Sequence, residues 1–121
     1  MTARKNRLQV KDFLGHILEA IERIEQYTAN QAFEDFRLST RDQDAVIRNL
    51  EVIGEASRNI DKHFPDFVAS HPELPIQSAY DMRNALSHGY FGVDIALVWQ
   101  AVQRDLPALK SDIQSILPAL P

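Results

Sequence analysis

Apolar residues recur at three- and four-residue steps along most of this 121-residue chain, and this spacing is what most constrains the fold. Steps of that size place side chains on one face of an α-helix, whereas a half-buried strand would alternate residue by residue. The clearest run predicts a first helix from about Lys5 to about Tyr27. Its apolar members are Val10, Phe13, Leu14, Ile17, Leu18, Ile21 and Ile24. No strand is predicted.

Capping and proline signals predict where a second helix begins and ends. Thr40 and Gln43 have the spacing of a capping box, in which the hydroxyl and the amide satisfy free backbone N–H groups. The apolar spacing then continues to about Lys62, because Pro65 interrupts helical geometry. The preceding segment, 28–38, contains a pair of phenylalanines and is predicted to be a connection packed down by aromatic rings.

Two further helices follow the proline-rich connection. Pro75 suits the first turn of a third helix that runs to about Ser87. Asp94 is a natural N-cap for a last helix, which Pro107 should kink or divide in two. Four to five amphipathic helices joined by mostly short turns predict an all-α fold, an up-and-down helical bundle.

Length and composition predict a single domain, residues 1–121, that is soluble and cytoplasmic. A chain of this length can bury roughly two-thirds of its unfolded surface around one core. It contains no cysteine, which excludes disulfides and thiolate metal sites. No apolar run approaches the ~18 residues of a membrane span, and no signal segment is evident. The formal net charge of −4 argues against binding nucleic acid through the overall field.

The stretch with most chemical content is Met82 to Tyr90, which contains the pattern R-x4-H-x-Y. Arg83 can fork two phosphate oxygens, and His88 titrates near neutral pH, so the two could hold a phosphodiester and move its protons without metal. Five residues in an unbroken helix separate them by about 140° in azimuth, so they would not share a face. Either the helix ends at Gly89 and His88 turns back, or a second copy completes the site; the second arrangement is favoured, with the first contributing.

These residues carry a resemblance to a known family. Arg83, His88 and Tyr90 match the R-x4-6-H-x-Y signature of HEPN-domain proteins, and Asn84 supplies the polar residue that commonly follows the arginine. With the segment 49–56 and the chain length, the whole sequence resembles the HepT-type toxins of bacterial and archaeal toxin-antitoxin pairs. The resemblance therefore covers nearly all of the chain.

The resemblance implies a HEPN-like helical homodimer that is a metal-independent endoribonuclease without a cofactor. Arg83 would then bind the scissile phosphate, His88 would be a general acid or base, and Asn84 would orient one of them. Tyr90 resembles the tyrosine that a nucleotidyltransferase antitoxin modifies with AMP. RNA and this antitoxin are the partners implied, and the stoichiometry of a larger toxin-antitoxin complex stays open.

Other interpretations compete with this one. A noncatalytic HEPN module that binds a nucleotidyltransferase or a nucleotide would have the same fold, although it would tolerate loss of Arg83 or His88, which this chain retains. A helical di-metal site is a weaker alternative, since its usual Glu-x-x-His order is reversed here and occurs once. The residues considered for it are Asp12, His16, Glu19, Glu51 and Glu55.

Four aromatic or imidazole side chains outside the motif are expected to be structural or exposed. Trp99 has the spacing of a core or dimer-interface anchor. His63 and His71 flank prolines and are expected to face solvent. Tyr27 is expected to be a packing or surface residue.

Overall fold

The computed structural model describes residues 8–79, 81 and 94–121, and the helices below are those of this part of the chain. They are α1 (Val10–Thr28), α2 (Phe33–Arg37), α3 (Thr40–His63), α4 (Pro65–Ser70), α5 (helical at 76–79 and 81), α6 (Ile95–Gln100) and α7 (Leu106–Ile116). A π-helical turn, Ala101–Asp105, joins α6 to α7, and a 3₁₀ turn, Leu117–Ala119, follows α7. None of the described residues lies in a strand, which confirms the all-α prediction.

The two long helices α1 and α3 form an antiparallel pair. The Gln31 amide, just after α1, donates a hydrogen bond of 2.7 Å to Asp42 in the first turn of α3. At the opposite end, the ring of Phe13 near the start of α1 lies 6.2 Å from that of Phe64, which follows α3. A chain that goes up through one helix and down through the other explains both contacts.

The core lies between α1, α3 and α7 and uses the predicted apolar faces. Leu14, Ile17, Ile21 and Ile24 of α1 are fully buried, as is Ile113 of α7. Burying a side chain of this size contributes roughly 1.5–3 kcal/mol. A further link is polar, because the Lys110 ammonium of α7 donates to the Glu25 carboxylate of α1 at 2.8 Å.

Helix α1 begins later than the sequence predicts. Leu8 and Gln9 are not helical, and the backbone of Gln9 is extended, with φ −98° and ψ 168°. The Asp12 carboxylate accepts a hydrogen bond of 2.7 Å from the Gln9 N–H. That bond satisfies one of the free donors at a helix start, so the cap fixes the boundary at Val10.

Helix α3 has its cap one residue before the predicted position. The Ser39 hydroxyl accepts the Asp42 N–H at 3.2 Å, and Thr40 is already helical. Gln43 does not reach back to the cap, because its amide donates to the carbonyls of Phe36 and Arg37 at 2.9 and 2.8 Å. The predicted Thr40–Gln43 box is therefore wrong, and Gln43 instead binds two carbonyls at the end of α2.

The aromatic connection between α1 and α3 is confirmed, with a short helix inside it. The rings of Phe33 and Phe36 lie 6.3 and 5.2 Å from the ring of Trp99 on α6. Phe36 is fully buried. Trp99 is half-buried and packs against the core, so its structural interpretation is confirmed.

The proline in the last helix widens one turn. Pro107 has no N–H to donate, and its ring would crowd the carbonyl four residues earlier. The Leu106 N–H bonds the Ala101 carbonyl, five residues back, which is the hydrogen bond of a π turn. The predicted disruption therefore takes the form of a π turn between α6 and α7.

The two histidines of the proline-rich connection differ. His63 is exposed, as expected. His71 is half-buried: its ring stacks on Phe67 at 4.2 Å, and its Nδ1 lies 2.9 Å from the Phe67 carbonyl. The expectation that His71 faces solvent is wrong, because the short helix α4 places an aromatic ring four residues before it. Among the described helices, none is both long and apolar enough to cross a membrane.

Candidate functional site

The motif itself lies outside the described residues. Arg83, Asn84, His88 and Tyr90 all fall within 82–93, so the structure does not test the predictions made for them. What it describes is the protein on either side of that segment. In sequence, Asp81 stands two residues before Arg83, and Asp94 stands four residues after Tyr90.

Local hydrogen bonds hold the residues that precede and follow the motif segment. The Asp81 carboxylate accepts a hydrogen bond of 3.0 Å from the Gln77 amide, one helical turn earlier. The Asp94 carboxylate accepts the N–H groups of Ala96 and Leu97 at 2.9 and 3.4 Å, which confirms its predicted role as N-cap of α6. Both contacts stabilise helical residues that lie close to the motif segment in sequence.

A cleft of about 370 Å³ opens beside α5. Buried Leu50 and Ile53 of α3 form part of its floor, and Ser78 and Ala79 of α5 form one wall. The opposite wall comes from the π turn and α7. The cleft therefore lies against the helix whose sequence continues into the motif.

Charged side chains surround this cleft. Glu73, Arg104, Asp105 and Asp112 line it, and within the described ranges none of the four makes an ion pair or a side-chain hydrogen bond. The π turn carries both Arg104 and Asp105, and π turns inside helices frequently occur at functional sites. Sequence reasoning missed these two residues; Pro107 was the signal that this stretch of helix would be irregular.

A second concave surface runs between α1 and α3 and is called here the α1–α3 groove. It consists of two adjoining depressions of about 410 and 400 Å³ that share Phe13 and Asn59. One depression also contains His16 and Arg48, and the other contains His63. The groove thus brings together residues that are far apart in sequence.

The residues considered for a metal site do not form one. Asp12 caps α1, and Glu19 pairs with Arg23 at 2.6 Å. His16 lies edge-on to Phe13, with ring centroids 6.1 Å apart. In the part of the chain that the structure describes, no three His, Asp or Glu side chains converge as metal ligands.

The shifted pKa values of the described residues belong to contacts that hold helices together. Hydrogen bonding by Gln31 first and Ser39 second holds the pKa of Asp42 below its ordinary value. The hydrogen bond to Glu25 raises the pKa of Lys110. On α2, the Arg37 guanidinium lowers the pKa of Glu34 through a hydrogen bond and its charge. These groups stabilise the scaffold around the candidate surfaces.

Comparison with known proteins gives consistent matches over most of the chain. A family model described as "Ribonuclease HepT-like" matches residues 17–116. A protein named "Probable ribonuclease HepT" from Thermococcus cleftensis is 47% identical over 106 residues, which cover 88% of this chain and 94% of that protein.

Two proteins of Methanocaldococcus jannaschii are also similar. One, named "Gamma-glutamylcyclotransferase and putative RNase", is 43% identical over 114 residues, or 94% of this chain but only 50% of that longer protein. The other, named "Putative RNase", is 36% identical over 111 residues, covering 92% of this chain and 99% of that protein. No solved structure shows significant similarity to the chain.

Proposed function

Because the chain belongs to the HepT-like ribonuclease family, we propose that it is a metal-independent endoribonuclease with Arg83 and His88 as its catalytic pair. One observation carries the proposal: the family match over 17–116 includes the whole R-x4-H-x-Y motif. An arginine and a histidine can also support phosphodiester cleavage without metal, because one stabilises charge on the phosphate and the other transfers a proton.

The reaction is an internal transfer at phosphorus. The ribose 2′-oxygen loses its proton to a base and forms a bond to the adjacent phosphorus, while the bond from phosphorus to the 5′-oxygen of the next nucleotide breaks. An acid protonates that departing oxygen. The products are a 2′,3′-cyclic phosphate and a free 5′-hydroxyl, and no water or metal ion is consumed.

The motif residues divide this work. Arg83 binds the scissile phosphate and stabilises the negative charge that grows on its oxygens, an effect often worth several kcal/mol. His88 moves one of the two protons, a contribution of roughly 10²- to 10⁴-fold. Asn84 orients one of these two side chains.

The active form is a homodimer in which two motifs face one groove. In a regular helix an azimuth of about 140° separates Arg83 from His88, so the two would not share a face within one copy. A two-fold axis can bring the arginine of one copy to the histidine of the other. The 121 residues would then form a single domain per protomer, working in the cytoplasm.

In this proposal the protein is the toxin of a toxin-antitoxin pair. A nucleotidyltransferase antitoxin would attach AMP to Tyr90, two residues after His88. The adduct would add bulk and negative charge at the phosphate site, so RNA would be excluded by steric clash and by charge repulsion. The expected signature is a mass increase of one AMP on Tyr90 after incubation with the antitoxin and ATP.

Product analysis in the presence of EDTA tests the reaction class. Purified protein should still cut RNA under chelation, and the fragments should carry 2′,3′-cyclic phosphate and 5′-hydroxyl ends, because the nucleophile is the substrate's own 2′-oxygen. RNA with a 2′-O-methyl group at the cut should resist cleavage. Fragments with 5′-phosphate ends would overturn the mechanism. Intact RNA, with the protein folded and Tyr90 unmodified, would favour the noncatalytic binding module.

A further inference from the structure

The α1–α3 groove has features of a surface for single-stranded RNA. Two aromatic rings line it: Phe13, which both depressions share, and Phe64, which lines one of them. Their centroids lie 6.2 Å apart at an interplanar angle of 57°. Both side chains are half-buried, so each is held by packing while part of its ring faces the groove. Unpaired bases stack on such rings whatever their sequence, because every base has a π-face.

We propose that the α1–α3 groove binds a stretch of unpaired RNA that flanks the cleavage site, with bases on Phe13 and Phe64 and a phosphate at Arg48. This rests on the nuclease function proposed above and adds a binding tract outside the motif. From Arg48 to His63 the groove follows α3 for about 22 Å. That length suits a short tract of about four nucleotides, the lower end of known single-strand sites.

The polar side chains around the rings could bind the phosphate and ribose of a nucleotide. Arg48 is exposed, and among the residues the structure describes it has no ion-pair or hydrogen-bond partner. His16 lies edge-on to Phe13, and the exposed His63 lines the same depression as Phe64, so the groove contains an imidazole in each depression. Guanidinium and imidazole N–H groups can donate to phosphate and ribose oxygens.

The charge of the groove predicts how such binding would behave. Glu51 and Glu55 line it beside Arg48, and Arg58, which lies outside the lining, is 4.0 Å from Glu55, so the groove offers no net positive charge. Stacking must then supply most of the affinity, since few phosphates meet an unopposed cation. Binding should therefore weaken only slightly as salt rises, in contrast to the steep dependence of basic surfaces that neutralise many phosphates.

Binding of a short, uncleavable RNA tests the tract separately from catalysis. Fluorescence anisotropy would measure the Kd of 2′-O-methyl oligonucleotides of adenine or uracil for the full chain, and cleavage of ordinary RNA would be followed in parallel. Phe64→Leu keeps apolar volume but removes the ring, and should weaken binding about tenfold, the equivalent of one lost base stack. Arg48→Ala should weaken it severalfold. The adenine oligonucleotide should bind more tightly than the uracil one, because purines stack better.

Matched variants outside the groove control for folding and charge. Phe67→Leu replaces another half-buried phenylalanine, and Arg41→Ala removes an arginine of the same helix whose side chain is 92% exposed. Neither should change the Kd. If wild-type protein binds and cuts RNA while Phe64→Leu and Arg48→Ala do the same equally well, the groove is not an RNA tract and the nuclease proposal stands. If wild-type protein neither binds nor cuts, both proposals fall.

The RNA-tract proposal would also be overturned if the groove variants lost binding to a partner protein and kept binding to RNA. In that case Phe64→Leu and Arg48→Ala would have the wild-type Kd for RNA but would not co-purify with a nucleotidyltransferase that binds the wild-type protein. The groove would then be a protein interface.

Discussion

At the scale of single residues, two aspartates hold the described residues that lie next to the motif segment in sequence. Asp81 accepts the Gln77 amide, and Asp94 accepts two backbone N–H groups at the start of α6. Neither is proposed to touch RNA. They stabilise helical residues next to the segment that contains the proposed catalytic pair, and a catalytic pair must be held within fractions of an ångström of its working geometry.

Replacing Asp94 with alanine should lower the free energy of unfolding by about 1 kcal/mol, because the N–H groups of Ala96 and Leu97 lose their acceptor. Urea denaturation followed by circular dichroism measures the change. Asp61→Ala is the matched control, since Asp61 is an exposed aspartate in the last turns of α3 without a capping bond. Equal stabilities of the two variants would contradict the capping role.

At the scale of helices, the junction between α1 and α3 depends on one carboxylate. Asp42 in the first turn of α3 accepts the Gln31 amide at 2.7 Å, while its own N–H bonds the Ser39 hydroxyl. Hydrogen bonding by Gln31, and secondarily by Ser39, holds the pKa of Asp42 below its usual 3.8. The folded state therefore favours the charged form more than the unfolded chain does.

This lowered pKa predicts how stability responds to acid. A carboxyl group whose pKa is lower in the folded state stabilises the fold above its unfolded pKa, and that contribution disappears as the pH falls through the folded value. Wild-type Tm should thus drop as the pH goes below about 4. Asp42→Asn should have a lower Tm at pH 7 and a smaller drop in acid. Differential scanning fluorimetry from pH 7 to pH 3 measures both, with Asp61→Asn as control; parallel curves for wild type and Asp42→Asn would refute the assignment.

Helix periodicity predicted the long elements well because α1 and α3 each bury one continuous apolar face. Capping signals were less reliable where two neighbouring residues can each cap the same helix. Both Ser39 and Thr40 could cap α3, and the choice fell to Ser39 because Gln43 binds the carbonyls at the end of α2. The sequence also cannot show that the helix accommodates Pro107 by a π turn. A kink, a break and a π turn are all compatible with a proline, and tertiary packing selects among them.

At the scale of the whole molecule, the motif could be predicted from the sequence, whereas the α1–α3 groove could not. The R-x4-H-x-Y motif is contiguous, so spacing alone could find it. The α1–α3 groove joins residues such as His16, Arg48 and His63, which meet only because α1 and α3 pack antiparallel. No local pattern encodes that meeting. A search limited to motifs therefore finds the proposed catalytic pair and misses the proposed binding tract.

Whether one copy of the chain can form a complete active site is also a question about the whole molecule. If each active site takes Arg83 from one protomer and His88 from the other, a dimer of two different variants can rebuild one site. In a mixture of Arg83→Ala and His88→Ala subunits, one of the two sites of each mixed dimer has both residues intact. Neither variant has such a site in its own homodimer.

The most direct measurement is RNA cleavage in EDTA by Arg83→Ala and His88→Ala, each alone and after partial unfolding and refolding together. Each alone should be inactive, and the mixture should recover about a quarter of wild-type activity, since half of the dimers are mixed and each has one complete site. Native mass spectrometry would verify that mixed dimers form. Activity in either variant alone would contradict the assignment of the catalytic pair, and mixed dimers that cut nothing would contradict a site shared between two copies.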